Sequence, residues 1–278
     1  MNCIVTEFSG FCHGVKNTIS TIEKLLKDES QPVSCIGLPV HNSQITEKLI
    51  TQGLNVVDKV EDIQSGILII RAHGLPPERI EYAKKRGLKI VDTTCNIVVR
   101  VQNIAKTLHS EGYTVLITGE HEHPEVRAIY GCTQEEGIVC SSVNDVRALK
   151  LDGKVGVVSQ TTFSESIFRK IVTALIERNF SELRVFDTIC STLAKRNTAA
   201  QITASQVDMM LVVGGKMSSN TKRLYEACKK INPNTYHIET KEEFSDEWFT
   251  GVETVGITAG ASTPQWIIHD ICNAVKAR

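Results

Sequence analysis

The sequence predicts an α/β fold in which three similar lobes, each with a mostly parallel sheet, surround a pseudo-threefold centre. One observation is a unit that recurs along the chain: a short run of Val, Ile and Leu, a loop rich in Gly, Ser, Thr or His, and a helical stretch with one apolar face. Nearly continuous apolar strands that alternate with helices are typical of parallel sheets covered on both faces. The second observation is the position of three cysteines, which divide the chain into nearly equal parts.

Five strands and three helices can be placed from this pattern. The strands end in polar loops and lie in "GILIIRAHGLPPE" (66–78), "YTVLITGEHEHPE" (113–125), "KVGVVSQTTFSE" (154–165), "MMLVVGGKMSSN" (209–220) and "TVGITAGASTP" (254–264). The helices have apolar residues at helical spacing, which are Val15, Ile19, Ile22 and Leu26, then Val98, Val101, Ile104, Ala105 and Leu108, then Phe168, Ile171, Val172, Leu175 and Ile176. Ligands of open parallel sheets bind at the carboxyl ends of the strands, so the loops are where a site is expected.

Three cysteines stand where each lobe is expected to deliver a side chain to a common centre. Cys95 and Cys190 end the two Asp-Thr-x-Cys stretches, "DTTC" and "DTIC", and are 95 residues apart. Cys12, in "SGFCHGVK", lies 83 residues before Cys95, and an amphipathic helical stretch follows each of the three directly. The sequence therefore predicts lobes at residues 1–95, 96–190 and 191–278, with approximate boundaries and with termini that can pack across lobes.

The chemistry of three thiols at helix starts favours metal binding. A helix N-terminus favours the thiolate, which is the form that binds metals. Structural zinc sites usually take two cysteines from one C-x2-C segment, and the chain has none. Single cysteines spread over the chain suit an iron-sulfur cluster held by three thiolates, with one iron open to substrate. Zinc bound by three cysteines and a histidine, and thiols that only pack in the interior, remain alternatives.

Composition and charge exclude several classes of function. The 278 residues, 41% hydrophobic and 23% charged, are those of a folded globular protein, and the formal charge of -1 provides no broad basic surface for nucleic acid or for a membrane. No apolar run approaches the ~20 residues of a membrane span. No export signal opens the sequence, so a cytoplasmic protein with nine reduced cysteines is expected.

Three loops at strand ends place small polar residues or histidine before a predicted helix start. The predicted starts are Asn220 after Ser218 and Ser219, Pro124 after His123, and Pro264 after Ser262. Free backbone N–H groups and the positive end of the helix dipole make such starts candidate sites for a phosphate or diphosphate. Simple capping of the helix is the structural alternative for each loop. The chain has no Walker or G-x-G-x-x-G loop, which weakens a nucleotide-binding interpretation.

Nine short blocks, in order along the whole chain, carry a resemblance to a known family. They are "GFCHGV", "VHNSQITEKL", "RAHGLPPE", "DTTC", "HPEV", "SQTTFS", "DTIC", "SSNTKRL" and "TAGASTP". Through these blocks the chain resembles the 4-hydroxy-3-methylbut-2-enyl diphosphate reductases, which catalyse the last step of the non-mevalonate route to isoprenoid precursors. The resemblance implies a cloverleaf of three lobes around one oxygen-sensitive 4Fe-4S cluster, which Cys12, Cys95 and Cys190 hold with one iron left open.

The resemblance also implies the reaction and its partners. (E)-4-hydroxy-3-methylbut-2-enyl diphosphate takes up two electrons and two protons, loses its hydroxyl group as water, and gives isopentenyl diphosphate and dimethylallyl diphosphate. The family suggests reduced ferredoxin or flavodoxin as the electron donor. Nucleic acid and membrane are not among the partners that it implies.

By the same resemblance, seven residues surround the diphosphate: His41, His73, His123, Ser218, Ser219, Asn220 and Ser262. Glu125 corresponds to the family's acid, which protonates the leaving hydroxyl because hydroxide is a poor leaving group. Thr161 matches the threonine that orients the substrate hydroxyl and passes on protons. The structural alternative for Glu125 is a first-turn glutamate that only matches the helix dipole.

Three residues depart from the family pattern: His13 after the first cysteine, Asn96 after the second, and Met217 before "SSN". His13 and Asn96 stand beside cluster cysteines, so we expect the potential or the stability of the cluster to differ from that in relatives. Two other functions stay open at this stage. One is a zinc-dependent hydrolase that uses His121, His123 and the cysteines, and the other is a non-catalytic phosphate-binding protein.

Overall fold

The computed structural model describes all 278 residues and contains three four-stranded sheets, all of them parallel, with helices between the strands. This confirms the predicted α/β class with three parallel-sheet lobes. The first sheet comprises β2 (Val33–Ile36), β3 (Leu54–Val57), β4 (Ile67–Ile70) and β5 (Lys89–Asp92), in the order β3-β2-β4-β5. The second comprises β6 (Thr114–Thr118), β7 (Ile138–Cys140), β8 (Lys154–Ser159) and β9 (Glu182–Val185), in the order β7-β6-β8-β9.

The third sheet repeats this topology with one strand taken from the other end of the chain. It comprises β10 (Met209–Val213), β11 (Thr235–Ile238), β12 (Thr254–Ala259) and β1 (Asn2–Val5), in the order β1-β12-β10-β11. In β1, Asn2 pairs with Thr254 and Val5 pairs with Ile257. The first strand of the chain therefore takes the place in this sheet that β5 and β9 have in the others. The lobe boundaries 1–95, 96–190 and 191–278 stay a prediction, to which this pairing adds that residues 2–5 belong with the third sheet.

Ten α-helices connect the strands, together with short 3-10 segments at 60–62, 241–243 and 246–249. The helices are α1 (His13–Asp28), α2 (Ser43–Thr51), α3 (Pro77–Lys85), α4 (Asn96–Ser110), α5 (Pro124–Gly131), α6 (Val143–Ala148), α7 (Glu165–Ile176), α8 (Ser191–Ala204), α9 (Ser219–Lys229) and α10 (Gln265–Lys276). No helix is both long enough and apolar enough to cross a membrane.

Two predicted helix starts are one residue off, and one predicted helix has a different character. α9 begins at Ser219 because the Ser218 hydroxyl caps it by accepting the Thr221 N–H (3.3 Å). Pro264 precedes α10 as its N-cap, whereas Pro124 is the first residue of α5 as predicted. The amphipathic prediction is wrong for α8, because its buried residues are one leucine, one arginine and two alanines, which form only a weak apolar stripe: Leu193, Arg196, Ala200 and Ala204.

Apolar side chains cover both faces of the second sheet. Leu116 and Val157 pack on one face with α7, while Ile117 and Val158 pack on the other with α4. This two-sided burial explains why the central strands read as nearly continuous apolar runs.

The chain divides into two compact units. Unit one consists of residues 1–16, 38–52 and 191–278 and contains the third sheet. Unit two consists of residues 17–37 and 53–190 and contains the first and second sheets.

Candidate active site

Cys95 and Cys190 lie in two corners of unit two that are built in the same way. Each corner follows the last strand of its sheet, β5 or β9, and leads directly into a helix, α4 or α8. Cys95 donates its main-chain N–H to the Ala72 carbonyl (3.1 Å), and Cys190 donates to the Thr161 carbonyl (2.8 Å). Ala72 and Thr161 each lie two residues beyond the end of the neighbouring strand, β4 or β8. The two cysteines are therefore held against equivalent points of two sheets.

The threonine of each Asp-Thr-x-Cys stretch fixes its corner to the sheet. The Thr93 hydroxyl donates to the Ile70 carbonyl (2.6 Å), and the Thr188 hydroxyl donates to the Ser159 carbonyl (2.6 Å). Ile70 and Ser159 are the last residues of β4 and β8. Both threonines are buried, so these bonds form away from water. The repeated threonine thus has a structural function that the sequence alone did not assign.

The aspartates of the same stretches shape the turns. Asp92 accepts the Thr94 N–H (2.8 Å) and Asp187 accepts the Ile189 N–H (3.1 Å) through a side-chain oxygen. Such bonds, two residues forward, are typical of Asx turns. Both aspartates are exposed, which agrees with a turn-forming part and gives them no catalytic one.

We expect Thr188→Val to lower the free energy of unfolding by about 2 kcal/mol, because it leaves a buried N–H group without an acceptor. The Ser159 N–H donates to the Thr188 hydroxyl oxygen (2.7 Å), and the same hydroxyl donates to the Ser159 carbonyl. Urea unfolding measures the change. Thr198→Val is the matched control, since its exposed hydroxyl only bonds the Ala194 carbonyl within α8. Equal losses in both variants would contradict the assigned function of Thr188.

A third corner, in unit one, presents Cys12 and uses a different side chain. Cys12 follows β1 and donates its N–H to the Ala261 carbonyl (3.2 Å), two residues beyond β12. Gly10 stands where the other corners have threonine. Arg196, 2% exposed, donates to the Gly10 carbonyl (2.6 Å) and to the carbonyl of Ala259 (2.9 Å), the last residue of β12. The Arg196 guanidinium therefore takes the place of the threonine hydroxyl at the end of the third strand.

Gly10 is required at this corner by its backbone and by its surroundings. Its φ of +93° lies in the region that favours glycine. An added Cβ would lie 3.1 Å from the Gln265 side-chain oxygen and 3.3 Å from the Thr263 carbonyl. The third corner thus could not repeat Asp-Thr-x-Cys, which explains why "GFCHGV" looks unlike the other two stretches.

Glu125 and Thr161 form a buried hydrogen-bonded pair in unit two. The Glu125 carboxyl, 1% exposed, accepts the Thr161 N–H (2.6 Å) with one oxygen and the Thr161 hydroxyl (2.8 Å) with the other. Burial disfavours the charged carboxylate and raises its pKa from 4.5 to about 7, although the two bonds from Thr161 act in the opposite direction. Glu125 can therefore hold or release a proton near neutral pH.

His123 is fixed beside this pair. It is the N-cap of α5, and its Nδ1 accepts the Glu125 N–H (3.2 Å). With Nδ1 as the acceptor, the hydrogen of a neutral ring is on Nε2, which leaves Nε2 as a donor. The His73 ring stands nearly perpendicular to it (86°), with the ring centroids 5.3 Å apart. The two predicted phosphate-binding histidines of unit two therefore lie together.

Contacts link six predicted residues of unit two in one series. It runs from Cys190 through Thr161, Glu125 and His123 to His73. The carbonyl of Ala72, the residue before His73, accepts the Cys95 N–H and so joins Cys95 to the series. Sequence reasoning missed buried Gln160, whose side chain accepts the Glu120 N–H (3.0 Å) and donates to Thr162 (2.8 Å). A lone glutamine between a strand and "TTF" gives no signal of this.

The predicted residues of unit one also lie in loops that contact each other. The buried Ser262 hydroxyl donates to the His41 carbonyl (3.3 Å). Gly215, in the loop before Ser218, packs on the same carbonyl so closely that an added Cβ would lie 2.1 Å from it. Ser219 and Asn220 open α9 after the Ser218 cap, and the buried Asn220 Nδ2 has no hydrogen-bond partner.

Three of the predicted binding residues lie at equivalent points after one strand of each sheet. His41, His123 and Ser218 each lie five residues beyond the end of β2, β6 and β10. The three lobes therefore supply polar side chains from matching loops, even though the residue types differ.

Four other residues singled out in the sequence are exposed: His13, Asn96, His121 and Met217. The Asn96 side-chain oxygen lies 3.6 Å from the Cys95 sulfur. His121, two residues from His123, has neither the cap position nor the burial of that histidine.

The donor set fits an iron-sulfur cluster. Cys12, Cys95 and Cys190 form no disulfide and are each partly exposed, and each follows an edge strand (β1, β5 or β9) and precedes a helix. None supplies a second ligand from its own segment, which matches one cysteine per lobe. The other six cysteines lie outside these corners.

Comparison with known proteins gives matches over the whole chain. The family model described as "LytB protein" matches residues 3–276. The 4-hydroxy-3-methylbut-2-enyl diphosphate reductase of Aquifex aeolicus is 40% identical, covering 99% of this chain and 96% of its own length. The enzyme of the same name from Trichlorobacter lovleyi is 42% identical, covering 98% and 97%.

Two solved structures are also similar. A structure of (E)-4-hydroxy-3-methyl-but-2-enyl diphosphate reductase, described as the terminal enzyme of the non-mevalonate pathway, is 40% identical, with a TM-score of 0.76 and full coverage of both chains. The E-1-hydroxy-2-methyl-but-2-enyl-4-diphosphate reductase from Plasmodium falciparum is 28% identical, with a TM-score of 0.93 over 99% of this chain and 88% of that one.

Proposed function

The chain belongs to the LytB family, whose members named above are 4-hydroxy-3-methylbut-2-enyl diphosphate reductases, and on that premise we propose its reaction. It reductively dehydroxylates (E)-4-hydroxy-3-methylbut-2-enyl diphosphate to isopentenyl diphosphate and dimethylallyl diphosphate, the final step of the non-mevalonate pathway. Full-length similarity to two solved reductases supports this function over a zinc-dependent hydrolase or a phosphate-binding protein.

The observation that carries the proposal within the chain is the Glu125–Thr161 pair. Loss of a hydroxyl as water requires a proton, and a carboxyl with a pKa of about 7 supplies one at neutral pH. The Thr161 hydroxyl lies 2.8 Å from a Glu125 oxygen, so it can both bind the substrate hydroxyl and relay the proton. Glu125 is then the catalytic acid and Thr161 the residue that orients the leaving group.

The diphosphate is held by hydrogen-bond donors of individual side chains in place of a broad basic patch. The His123 Nε2–H faces away from its bond to Glu125 and can donate to a phosphate oxygen. The buried Asn220 Nδ2 has no partner, and a phosphate oxygen would satisfy it. His41, His73, Ser218, Ser219 and Ser262 complete the proposed binding set.

Cys12, Cys95 and Cys190 would hold a 4Fe-4S cluster with one iron free of protein ligands. Such a cluster would pass on the two electrons of an external donor, one at a time, and would offer a Lewis-acidic iron to the substrate oxygen. The chain's own part is to hold three thiolates at fixed corners. Ferredoxin or flavodoxin as electron donor, and a cytoplasmic location, are proposals that rest on the family resemblance.

We expect Asn96→Ala to lower the reduction potential of the cluster. A thiolate at Cys95 has no hydrogen to donate, so the Asn96 amide, 3.6 Å away, would turn its NH2 group to the sulfur. Hydrogen bonds to cluster sulfurs favour the reduced, more negative state and so set the potential. Voltammetry of the reconstituted protein measures the change. Asn103→Ala, on the exposed side of α4, is the control, and a shift in both or in neither would contradict the expectation.

Turnover with a chemical reductant tests the function directly. Anaerobically reconstituted protein, supplied with reduced methyl viologen and the hydroxylated substrate, is expected to oxidise the dye and to form both five-carbon diphosphates. Zinc-loaded protein that is colourless and hydrolyses the diphosphate would instead support the hydrolase. Protein that binds diphosphate without consuming it, despite a full cluster, would support the binding module.

A further inference from the structure

Two cysteines outside the active site lie against each other in unit one. Cys3 is in β1 and Cys272 is in α10, and their sulfur atoms are 2.7 Å apart. This is closer than two non-bonded sulfur atoms normally approach, so the backbone of β1 and α10 already brings both side chains within bonding range. Both are free thiols, and neither belongs to a corner that presents Cys12, Cys95 or Cys190.

We propose that Cys3 and Cys272 form a reversible disulfide by exchange with a low-molecular-weight disulfide such as glutathione disulfide. The Cys3 thiolate attacks one sulfur of the small disulfide, forms a mixed disulfide and releases one small thiolate. The Cys272 thiolate then attacks the Cys3 sulfur of the mixed disulfide. A bond forms between the Cys3 and Cys272 sulfurs, and the second small thiolate leaves. Two protein thiols are oxidised and one small disulfide is reduced to two thiols.

Burial gives the two thiols different parts in this exchange. Cys272 is 8% exposed and packs in the apolar core beside β1, β10 and β12. Cys3 is partly exposed, so the small disulfide reaches it first. Cys272 has access to Cys3 and little access to solvent, which suits a thiol that resolves the mixed disulfide and does not form one itself.

The surroundings set the rate. Burial raises the pKa of Cys3 to about 12, with the neighbouring Cys272 adding to the effect and with Lys276 and the N-terminal amine opposing it. Since the thiolate is the attacking form, exchange is slow at neutral pH, and its rate rises about tenfold for each pH unit below the pKa. The disulfide is therefore expected under sustained oxidation and after incubation at raised pH.

Peptide mapping of the holoenzyme tests the proposal. The reconstituted protein is incubated anaerobically with glutathione disulfide at pH 7, 8 and 9, alkylated, and digested with trypsin and a glutamate-specific protease. Cleavage after Glu7, Glu253 and Lys276 gives peptide 1–7, which contains Cys3 and no other cysteine, and peptide 254–276, which contains only Cys272. The expected product is a linked pair of these two peptides, whose amount rises with pH and which a reductant separates.

Three variants make the result specific. Cys272→Ser is expected to accumulate a glutathione adduct on peptide 1–7, because nothing resolves it, and Cys3→Ser is expected to show almost none on peptide 254–276. Cys228→Ser is the matched control: its thiol is fully buried and its pKa is also raised to about 12, but it packs among alanine, methionine, valine and leucine. It should give the same linked pair as the unchanged protein.

Three outcomes would overturn the proposal. The first is that peptides 1–7 and 254–276 are not linked at any pH. The second is that either peptide is linked instead to a peptide that contains a different cysteine. The third is that both peptides carry stable glutathione adducts. The proposal does not depend on the reductase function, because the visible absorption of the cluster, recorded in the same samples, reports the active site separately.

Discussion

Replacing Glu125 with glutamine is expected to lower kcat by about 10²- to 10⁴-fold, the usual contribution of a general acid. Glutamine has nearly the same shape and can still accept one bond from Thr161, but it cannot release a proton. The histidines and α9 are untouched, so substrate binding should remain. Single-turnover product formation, with binding followed through the spectrum of the cluster, separates the two effects.

The pH dependence of kcat also tests Glu125 as the acid. Burial holds the Glu125 carboxyl protonated below a pKa of about 7, so kcat of the unchanged enzyme is expected to fall as the pH rises through that value. Asp145→Asn is the matched control, because the Asp145 carboxylate also accepts main-chain N–H and serine hydroxyl bonds, but at an exposed turn that lowers its pKa. Full activity of Glu125→Gln, or loss of the alkaline limb in the control, would contradict Glu125 as the acid.

Replacing Arg196 with methionine is expected to speed the release of iron to a chelator about tenfold or more, the usual scale for residues that support metal ligands. Arg196 is a positioning residue: it ties the loop of Cys12 to the end of β12 through Gly10 and Ala259. Without it the two buried carbonyls lose their donors and the Cys12 thiolate loses its fixed position. Arg196→Lys keeps the charge and should lie between the two.

Arg178→Met separates this positioning from general stability. Arg178 also donates to two carbonyls through its guanidinium, those of Val146 and Leu149, but these belong to α6 and its end and not to a corner that presents a proposed cluster cysteine. We expect both methionine variants to lower the free energy of unfolding, and only Arg196→Met to release iron faster. Equal rates of iron release in the two variants would show that Arg196 contributes to stability only and does not position Cys12.

The strands that the sequence predicted are those buried on both faces. β4, β6, β8, β10 and β12 read as apolar runs because helices cover both sides of each sheet. The seven others are three or four residues long, and several are partly exposed at sheet edges, such as β9 with Arg184. Short edge strands have no periodicity that a single sequence can reveal.

The spacing of the cysteines located the third corner, but its construction could not be read from the sequence. Placing β1 beside β12 requires pairing across the whole chain, which no local pattern encodes. Arg196 is equally hidden, because a buried arginine in a polar helix looks like a surface residue until its two acceptors are known. The only signal was an arginine six residues after Cys190 in a helix poor in large apolar residues.

Glu125 shows the same limit within the site. Its position after Pro124 equally suits a residue that matches the helix dipole. Only the structure shows the burial that raises its pKa and the two bonds that it accepts from Thr161. Likewise, the sequence made His121 and His123 look like a pair. The structure distinguishes them, because His123 caps α5 and contacts Glu125 whereas His121 is exposed.

We propose that Cys12, Cys95 and Cys190 would each hold one iron of a single cluster, and that its fourth iron would be open to the substrate oxygen. Mössbauer spectroscopy of protein reconstituted with iron-57 tests it most directly. We predict that the substrate changes the signal of one iron and leaves those of the three others nearly unchanged, and that Cys12→Ser, Cys95→Ser and Cys190→Ser each prevent the full cluster from forming. Two results would contradict this proposal: signals of all four irons that stay unchanged when substrate is added, or a full cluster that still forms when any of these cysteines is replaced.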